Sequence, residues 1–389
     1  MKWKDRGCEK DKLAMVLSEK WNKSSSIYLF GAGGKGRFYK RLLDKYNLFA
    51  GFIDNDSTKW SDQIVGLDDF LSRNEGGWIV LSVGKSIVSD LQKQLDSLKL
   101  DENKYFIYDC NTFFEQIFPV ISVYEFGKVF DNLCQISVTE RCTLKCEKCA
   151  HGCWNVPMDQ EDLSLDVVKK STDCYFSAFD HVEEFVLIGG EPFLYKHLAD
   201  SIKYIGTNYR EQIFTFAITT NGTIMPPREV IEACKEYDVH IHISNYVKTL
   251  PLLKERYEKL CQILDEHQIL YDLSNEDDKW VDYGFDSFVR GDEENLQAVF
   301  DRCKTHCREV RGNKYYFCVQ ARAVGENMSF DVDDDYFDLS QIKSIEDKKA
   351  LVEFGMGYSE KGYLDMCKYC YGAEALERII PRAIQKKVL

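Results

Sequence analysis

From about residue 135 the chain repeats one unit, a short apolar run followed by a helical stretch. Strand-like runs at 136–139, 185–188, 214–218 and 240–244 alternate with helical patterns at 164–179, 196–206, 228–237 and 252–264. Repeated βα units of this length build a parallel sheet that curls into a barrel, with its loops gathered at the C-terminal ends of the strands. Chemistry-bearing residues fall at those ends. The first strand runs into Cys142-Thr143-Leu144-Lys145-Cys146-Glu147-Lys148-Cys149, the second into Gly189-Gly190-Glu191-Pro192, the third into Thr219-Thr220-Asn221-Gly222, and the fourth ends on Ser244. One rim therefore carries every motif of this region, which predicts one shared site.

The three thiols of the first loop stand at x3 and x2 spacing. Such a loop can wrap three corners of a cubane iron–sulfur cluster but lacks the fourth ligand of a closed, electron-carrying one. An open coordination position separates catalytic from structural metal sites. A zinc knuckle or three unrelated buried thiols are the alternatives. Among the 389 residues there are fifteen cysteines, and no stretch reads as an export signal, so disulfides are a poor explanation in a reducing compartment. Cys142, Cys146, Cys149 and Cys153 form one group, and Cys303, Cys307, Cys318, Cys367 and Cys370 a second. The remaining six, Cys8 among them, are scattered singly and read as small buried residues. Cys153 falls outside the three-ligand spacing and reads as a bystander.

The N-terminal part has its own order. An amphipathic helix over 1–23 carries Leu13, Val16, Leu17 and Trp21 on one face. Strand-like 26–30 is followed by Gly31-Ala32-Gly33-Gly34-Lys35-Gly36, a helix over 37–46, a strand at 49–53 and then Asp54. This is the order in which a Rossmann unit seats a pyrophosphate at a helix N-terminus and a ribose on the carboxylate. With further strands at 78–83 and 105–108, it predicts a small Rossmann-like domain over 24–115 of about four strands. It resembles the Rossmann-like modules attached to bacterial surface-sugar enzymes, which implies a nucleotide or nucleotide-sugar near Gly31, Gly33, Gly36 and Asp54. Glycines that merely permit tight strand–helix packing are the alternative. Residues 116–133 read as a connector.

The formal charge of −14 argues against non-specific binding to nucleic acid, and no apolar run is long enough to span a membrane. The chain reads as cytoplasmic. Further on, a turn at Gly312-Asn313 flanked by strand-forming residues predicts a hairpin with Cys307 and Cys318 near its ends. Completed by the distant Cys367-Lys368-Tyr369-Cys370, it can hold a second cluster on four thiols: Cys307, Cys318, Cys367 and Cys370, with Cys303 as substitute. A four-cysteine zinc site is the alternative, with His306 a less favoured ligand. Arg290, Arg302, Arg308, Arg311 and Arg322 suit a phosphate-bearing substrate or a solvated surface. The acidic run 331–335 reads as a surface turn, and His240 and His242 as satisfied core histidines.

Over roughly residues 130–380 these motifs resemble the radical S-adenosylmethionine (radical SAM) superfamily. The resemblance implies a partial parallel (β/α) barrel over 130–285 and a small auxiliary-cluster domain over 286–389 of the SPASM/Twitch kind. It assigns Cys142, Cys146 and Cys149 to a 4Fe-4S cluster. Gly189, Gly190, Glu191 and Pro192 would hold the methionine end of S-adenosylmethionine, with Glu191 accepting from its amine; Thr220, Asn221 and Ser244 would lie near the rest of it. Where the family commonly has an aromatic residue beside the adenine, this chain has Lys148, so that contact is not carried over. The chemistry implied is reductive cleavage to a 5′-deoxyadenosyl radical that abstracts hydrogen, with an electron donor such as flavodoxin or ferredoxin. An auxiliary cluster could take up the second electron of an oxidation. A sugar, nucleotide-sugar or related polyol is the implied substrate, dehydrogenated or epimerised. A peptide-modifying maturase and a non-catalytic zinc- or nucleotide-binding protein are the rival readings. No general base or hydrogen donor can be picked from the spacing.

Overall fold

The computed structural model describes residues 17, 19–285, 287–303, 305, 307–332, 335–357 and 361–386. Most of the expected N-terminal helix, with Cys8, Leu13 and Val16, lies outside the described residues, as do His306, Asp333 and Asp334. The chain divides into two compact units, Met1–Gly127 and Lys128–Leu389.

In the first unit, strands β1 (Ile27–Phe30), β2 (Phe49–Ile53), β3 (Ile64–Val65), β4 (Gly77–Leu81) and β5 (Tyr105–Asp109) form one parallel sheet in the order β3-β2-β1-β4-β5. Helices α1 (Gly34–Asp44), α2 (Leu67–Arg73) and α3 (Lys85–Ser97) connect them. β3 is a fifth strand, too short to leave a pattern in the sequence. β1 and β4 are buried on both faces, as in a parallel sheet covered on each side by helices. Gly36 earns its place by packing: a Cβ there would come within 1.9 Å of the Gly31 carbonyl oxygen. The stretch read as a connector is helical instead, over Cys110–Thr112, Phe113–Ile117 and α4 (Phe118–Phe126). Its apolar residues point in every direction, so it shows no amphipathic period; Phe113, Phe114, Ile117 and Phe118 are all buried, and Tyr39 stacks on Phe114 at 4.0 Å.

The second unit is built on an eight-stranded sheet ordered β10-β9-β8-β7-β6-β12-β13-β14. Strands β6 (Phe130–Thr139), β7 (His181–Gly189), β8 (Ile213–Thr220), β9 (Val239–Ile243) and β10 (Tyr271–Leu273) run parallel. Helices α5 (Leu165–Ala178), α6 (Leu198–Tyr209), α7 (Arg228–Glu236) and α8 (Lys254–His267) link them in turn. Each βα unit read from the sequence is present, with β6 and β7 longer than their most apolar cores. After β11 (Lys279–Val281) and α9 (Glu293–Asp301), β12 (Arg308–Arg311) joins β6 in parallel. β12 and β13 (Lys314–Tyr316) form the expected hairpin, with Gly312 in the left-handed region at φ 61. α10 (Val319–Met328), β14 (Tyr336–Asp338), α11 (Ile345–Gly355) and β15 (Ile379–Pro381) complete the unit, and β15 pairs with β11. Among the described residues no helix is long and apolar enough to cross a membrane.

The arginines find partners inside this unit. Arg322, on α10 and fully buried, bonds Glu140, Glu309 and Glu326, while Arg311 bonds Glu140 and Arg290 bonds Glu374. Arg308 donates to the backbone carbonyls of Thr305, Phe317 and Gly355. They serve as internal ties rather than as a solvated surface. Asp335 departs from its reading as part of a surface turn: it is buried and accepts from the Asp365 and Met366 amides at 2.6 and 2.7 Å, which fixes the start of the Cys367–Cys370 turn.

Candidate active site

The C-terminal ends of β6, β7, β8 and β9 meet around a cavity of about 450 Å³. Cys142, Cys146 and Cys149 line one wall, and Gly189, Gly190, Thr220, Asn221 and Ser244 line another. The two glycines are required by close approach. Gly189 has φ 144, and a Cβ on Gly190 would stand 2.0 Å from the Arg141 carbonyl oxygen. Only bare backbone lets the loop after β7 lie across the loop after β6, where Gly190 N–H donates to Thr139 O at 2.8 Å and Glu191 N–H to Arg141 O at 2.9 Å.

The cysteine loop is braced from three sides. Arg141 makes a two-pronged contact with Asp162, at 2.9 and 2.5 Å, and Thr139 Oγ1 donates to the same carboxylate. Asn221 Nδ2 donates to Cys142 Sγ at 3.4 Å, and the hydroxyls of Thr143 and Thr223 share a hydrogen bond of 2.5 Å. From the C-terminal segment, Gln385 Nε2 donates to Cys146 Sγ at 3.2 Å while its Oε1 accepts from Lys145 N–H at 2.9 Å. Burial pushes the Cys142 and Cys146 thiols up to about 12, so a bound cation has to supply the charge that makes them thiolates. Cys149 is instead lowered to about 6, chiefly because Cys153 hydrogen-bonds to it. Cys153 itself is buried, and its Sγ lies 3.9 Å from His151 O.

Glu191 is placed differently from its expected role. It is fully buried, and its carboxylate accepts from Phe193 N–H at 3.1 Å, Thr220 Oγ1 at 2.8 Å and Asn221 N–H at 2.9 Å. Those bonds lock the loop after β7 to the loop after β8, and the side chain is not part of the cavity wall. Pro192 is buried in the turn that follows. Lys148, where an aromatic contact was absent from the sequence, lines the cavity with its backbone left-handed at φ 59, and its ammonium reaches Gly284 O at 3.1 Å. Sequence patterns gave no sign of His151, Tyr246 or Trp280, which also line the cavity. Trp280 arrives on the short β11 and meets Tyr246 edge-on at 5.7 Å. No spacing rule reaches from β9 to β11 or from Cys146 to Gln385.

In the second cysteine group, Cys303 stands with Cys318, Cys367 and Cys370. Burial raises the Cys318, Cys367 and Cys370 thiols, and Cys303 pushes each of them further. Cys303, Cys318 and Cys367 pack on Phe300, Phe317 and Leu364. Burial also raises the Cys307 thiol; Cys307 acts on Tyr283 together with Cys303, Cys318 and Cys370, and its carbonyl accepts from Val319 N–H at 2.9 Å, beside Cys318. Cys307 directly precedes β12, and Cys303 follows the end of α9. Zinc held by four thiolates at about 2.3 Å needs sulfurs about 3.8 Å apart. Among the described residues no three cysteine sulfurs lie within 4.8 Å of one another.

In the first unit, the Asp54 carboxylate is turned onto the glycine loop, accepting from Ala32 N–H at 2.8 Å and Asp56 N–H at 2.9 Å, with Lys59 at 3.2 Å. A cleft of about 200 Å³ opens beside the loop, lined by Lys35, Lys85, Val88, Asp109, Cys110 and Asn111. Gly31, Gly33, Gly36 and Asp54 are not part of its wall.

No curated protein sequence matches the chain significantly. Among solved structures it is similar to anSMEcpe with bound AdoMet and Cp18Cys peptide, at 13% identity and TM-score 0.32, over 44% of this chain and 59% of that one. It is similar to SuiB of Streptococcus suis bound to S-adenosylmethionine at 17% identity and TM-score 0.30, over 55% of this chain and 48% of that one. With BtrN in complex with AdoMet and 2-DOIA it shares 16% identity at TM-score 0.37, over 65% of this chain and 100% of that one. The chain thus spans about half the length of SuiB and somewhat more of anSMEcpe. Residues 136–246 match the radical SAM superfamily, whose members are enzymes and which implies S-adenosylmethionine and a 4Fe-4S cluster. That stretch runs from β6 past the end of β9 and contains the cysteine loop, the glycine pair and Asn221, so the chain carries a radical SAM superfamily domain.

Proposed function

We propose that this chain is a radical SAM oxidoreductase or epimerase acting on a sugar, nucleotide-sugar or related polyol. One observation carries the reading: three thiols of a single loop open onto a cavity whose facing wall is the bare backbone of Gly189 and Gly190. The donor set fits a cluster with one open iron, since three sulfurs and no fourth ligand come from this loop. A bound cluster and S-adenosylmethionine supply a 5′-deoxyadenosyl radical, the hard chemistry that no side chain provides.

The chain's own residues bind, orient and exclude water. Cys142, Cys146 and Cys149 hold the cluster; Asn221 and Gln385 donate to two of their sulfurs and steady them. Gly189 and Gly190 let a ligand approach the backbone, and Thr220, Asn221 and Ser244 offer polar groups along the same wall. Glu191 is a positioning residue that ties two of these loops together. Trp280 and Tyr246 add an apolar stretch to the cavity wall, where their rings meet edge-on. A cavity of about 450 Å³ lies within the usual range for small-molecule sites, about 300–1,000 Å³. Hydroxyl and ammonium groups from Thr219, Lys148, Lys279 and Tyr283 on its wall favour a small polar substrate. Cys303, Cys318, Cys367 and Cys370 are the proposed ligands of an auxiliary 4Fe-4S cluster. The Lys35–Lys85 cleft is the proposed place for the phosphates of a nucleotide in the first, Rossmann-like unit.

The test is anaerobic reconstitution followed by reductive incubation with S-adenosylmethionine and a panel of nucleotide-sugars and aminopolyols. Substrate-stimulated 5′-deoxyadenosine with a two-unit mass loss means dehydrogenation; unchanged mass with one solvent deuterium incorporated means epimerisation. Stimulation by peptides alone overturns the substrate class, and a colourless, iron-free, zinc-binding protein overturns the enzyme reading.

A further inference from the structure

His240 and His242 lie on the face of β9 opposite Val239, Ile241 and Ile243, which are buried. His242 pairs with Thr219 across the sheet, so it shares the face that carries the cavity wall, one step further from the rim than Ser244. Asp272 of β10, paired with His242, turns one carboxylate oxygen toward both rings. Asp272 Oδ1 is 2.9 Å from His240 Nε2 and 2.5 Å from His242 Nδ1. The three ligand-type atoms all lie within 4.8 Å of one another. On its far side, His242 Nε2 is 2.6 Å from Glu184 Oε1.

A neutral imidazole carries one N–H. If His242 gives it to Glu184, its Nδ1 lone pair faces a carboxylate oxygen at contact distance, and something positive has to lie between them. Glu184 is placed as the carboxylates behind metal-bound histidines are placed: it takes the outer N–H, fixes the tautomer and makes the inner nitrogen a better donor. Two neutral imidazoles and two carboxylates leave a local charge of −2 for a dication to balance. Ligands at about 2.1 Å held at right angles stand about 3.0 Å apart, close to the 2.9 Å seen for His240 and Asp272, whereas His242 and Asp272, at 2.5 Å, have to part by about 0.5 Å to admit the ion. His240, His242 and Asp272 are partly exposed, so an ion has a path in and room for waters.

We infer that His240, His242 and Asp272 form a site for a divalent transition-metal ion, with Glu184 orienting His242 from behind. Two imidazoles and one carboxylate with open positions suit zinc, iron(II), cobalt(II) or manganese(II) better than calcium or magnesium. The ion would fasten β10, the edge strand of the sheet, to β9 and, through Glu184, to β7. No thiol is among its ligands. The competing occupant is a proton: burial disfavours charge on His242, but Glu184 and Asp272 outweigh it and raise the group to about 9.

Protein with its iron–sulfur sites reconstituted is stripped of loosely held divalent ions and titrated with cobalt(II) chloride. Cobalt K-edge absorption, which does not see iron, reports the ligands. The expected result is one cobalt per chain with nitrogen and oxygen scatterers, imidazole features and no sulfur. Asp272→Asn and His240→Gln should each weaken binding at least tenfold, and Glu184→Gln by about tenfold. Sulfur scatterers, less than stoichiometric cobalt in the wild type, or equal affinity in the folded variants overturns the inference in favour of a proton-held ion cluster. The wild-type spectrum decides even where a variant fails to fold.

Discussion

The two cysteine groups of the second unit are built on opposite plans. Cys142, Cys146 and Cys149 come from one eight-residue loop, three in number, and face an open cavity. Cys303, Cys318, Cys367 and Cys370 come from three separate elements, four in number, and are walled by Phe300, Phe317, Leu364 and Met366. Three ligands beside a cavity leave a metal position for a reactant; four ligands in an apolar shell leave none. On the proposed reading, the difference separates a site that does chemistry from one that stores or passes charge. It also explains why the first was legible as one compact motif and the second only as a hairpin completed by a distant pair of cysteines.

The largest effect expected to sharpen that contrast is on turnover. Alanine at Cys142, Cys146 or Cys149 should bring 5′-deoxyadenosine formation to background, whereas Cys303→Ala should leave uncoupled formation measurable; equal loss in both groups would erase the distinction. Iron content comes next. Cys303→Ala should lose about four irons per chain after reconstitution, and Cys307→Ala none, because one cubane cluster rests on the former. Next in size is Gly190→Ala. A Cβ 2.0 Å from a backbone oxygen cannot be absorbed by side-chain motion, and a cost of about 2–4 kcal/mol is expected in chemical denaturation, together with weaker S-adenosylmethionine binding.

A pH effect follows from Glu140, which precedes the cysteine loop. Burial alone would raise it, but Arg322 and Arg311 outweigh that and lower it from 4.5 to about 2. A depressed carboxylate contributes stability that is full above pH 4.5 and is lost as the pH falls toward 2, on the order of 3 kcal/mol in all. Denaturant midpoints between pH 5.5 and 3 should therefore fall more steeply in the wild type than in Glu140→Gln; parallel curves would remove Glu140 from the account. The smallest effect is that of Gln385→Ala, which removes one donor to Cys146 and one acceptor for Lys145. About 1 kcal/mol of stability and a more oxygen-sensitive first cluster are expected, read by the rate of cluster bleaching in air.

Local signals carried the sequence reading. The βα alternation, the cysteine spacing, Gly189-Gly190 and Asn221 each lie within a few residues of a strand end, and the structure brings all of them to one cavity. What was illegible depends on tertiary position. Cys303, which follows α9 and belongs to no local pattern with the hairpin, stands with Cys318, Cys367 and Cys370, and no spacing rule ranks it against Cys307. Glu191 looked like a ligand contact because it is charged and follows two glycines, yet three donors from neighbouring loops take its carboxylate. Residues 116–133 looked like a connector because the helix Phe118–Phe126 within them is apolar all round and has no periodicity to detect. Gln385 and Trp280 reach the site from the far end of the chain, where no pattern could announce them.

The central claim is that Cys142, Cys146 and Cys149 present an open iron to S-adenosylmethionine. Electron paramagnetic resonance of the reduced Cys303→Ala protein, with the first cluster alone filled, tests it most directly. A reduced 4Fe-4S signal whose g values shift on adding S-adenosylmethionine is the predicted result. A signal indifferent to S-adenosylmethionine, or no cluster signal at all, would contradict it.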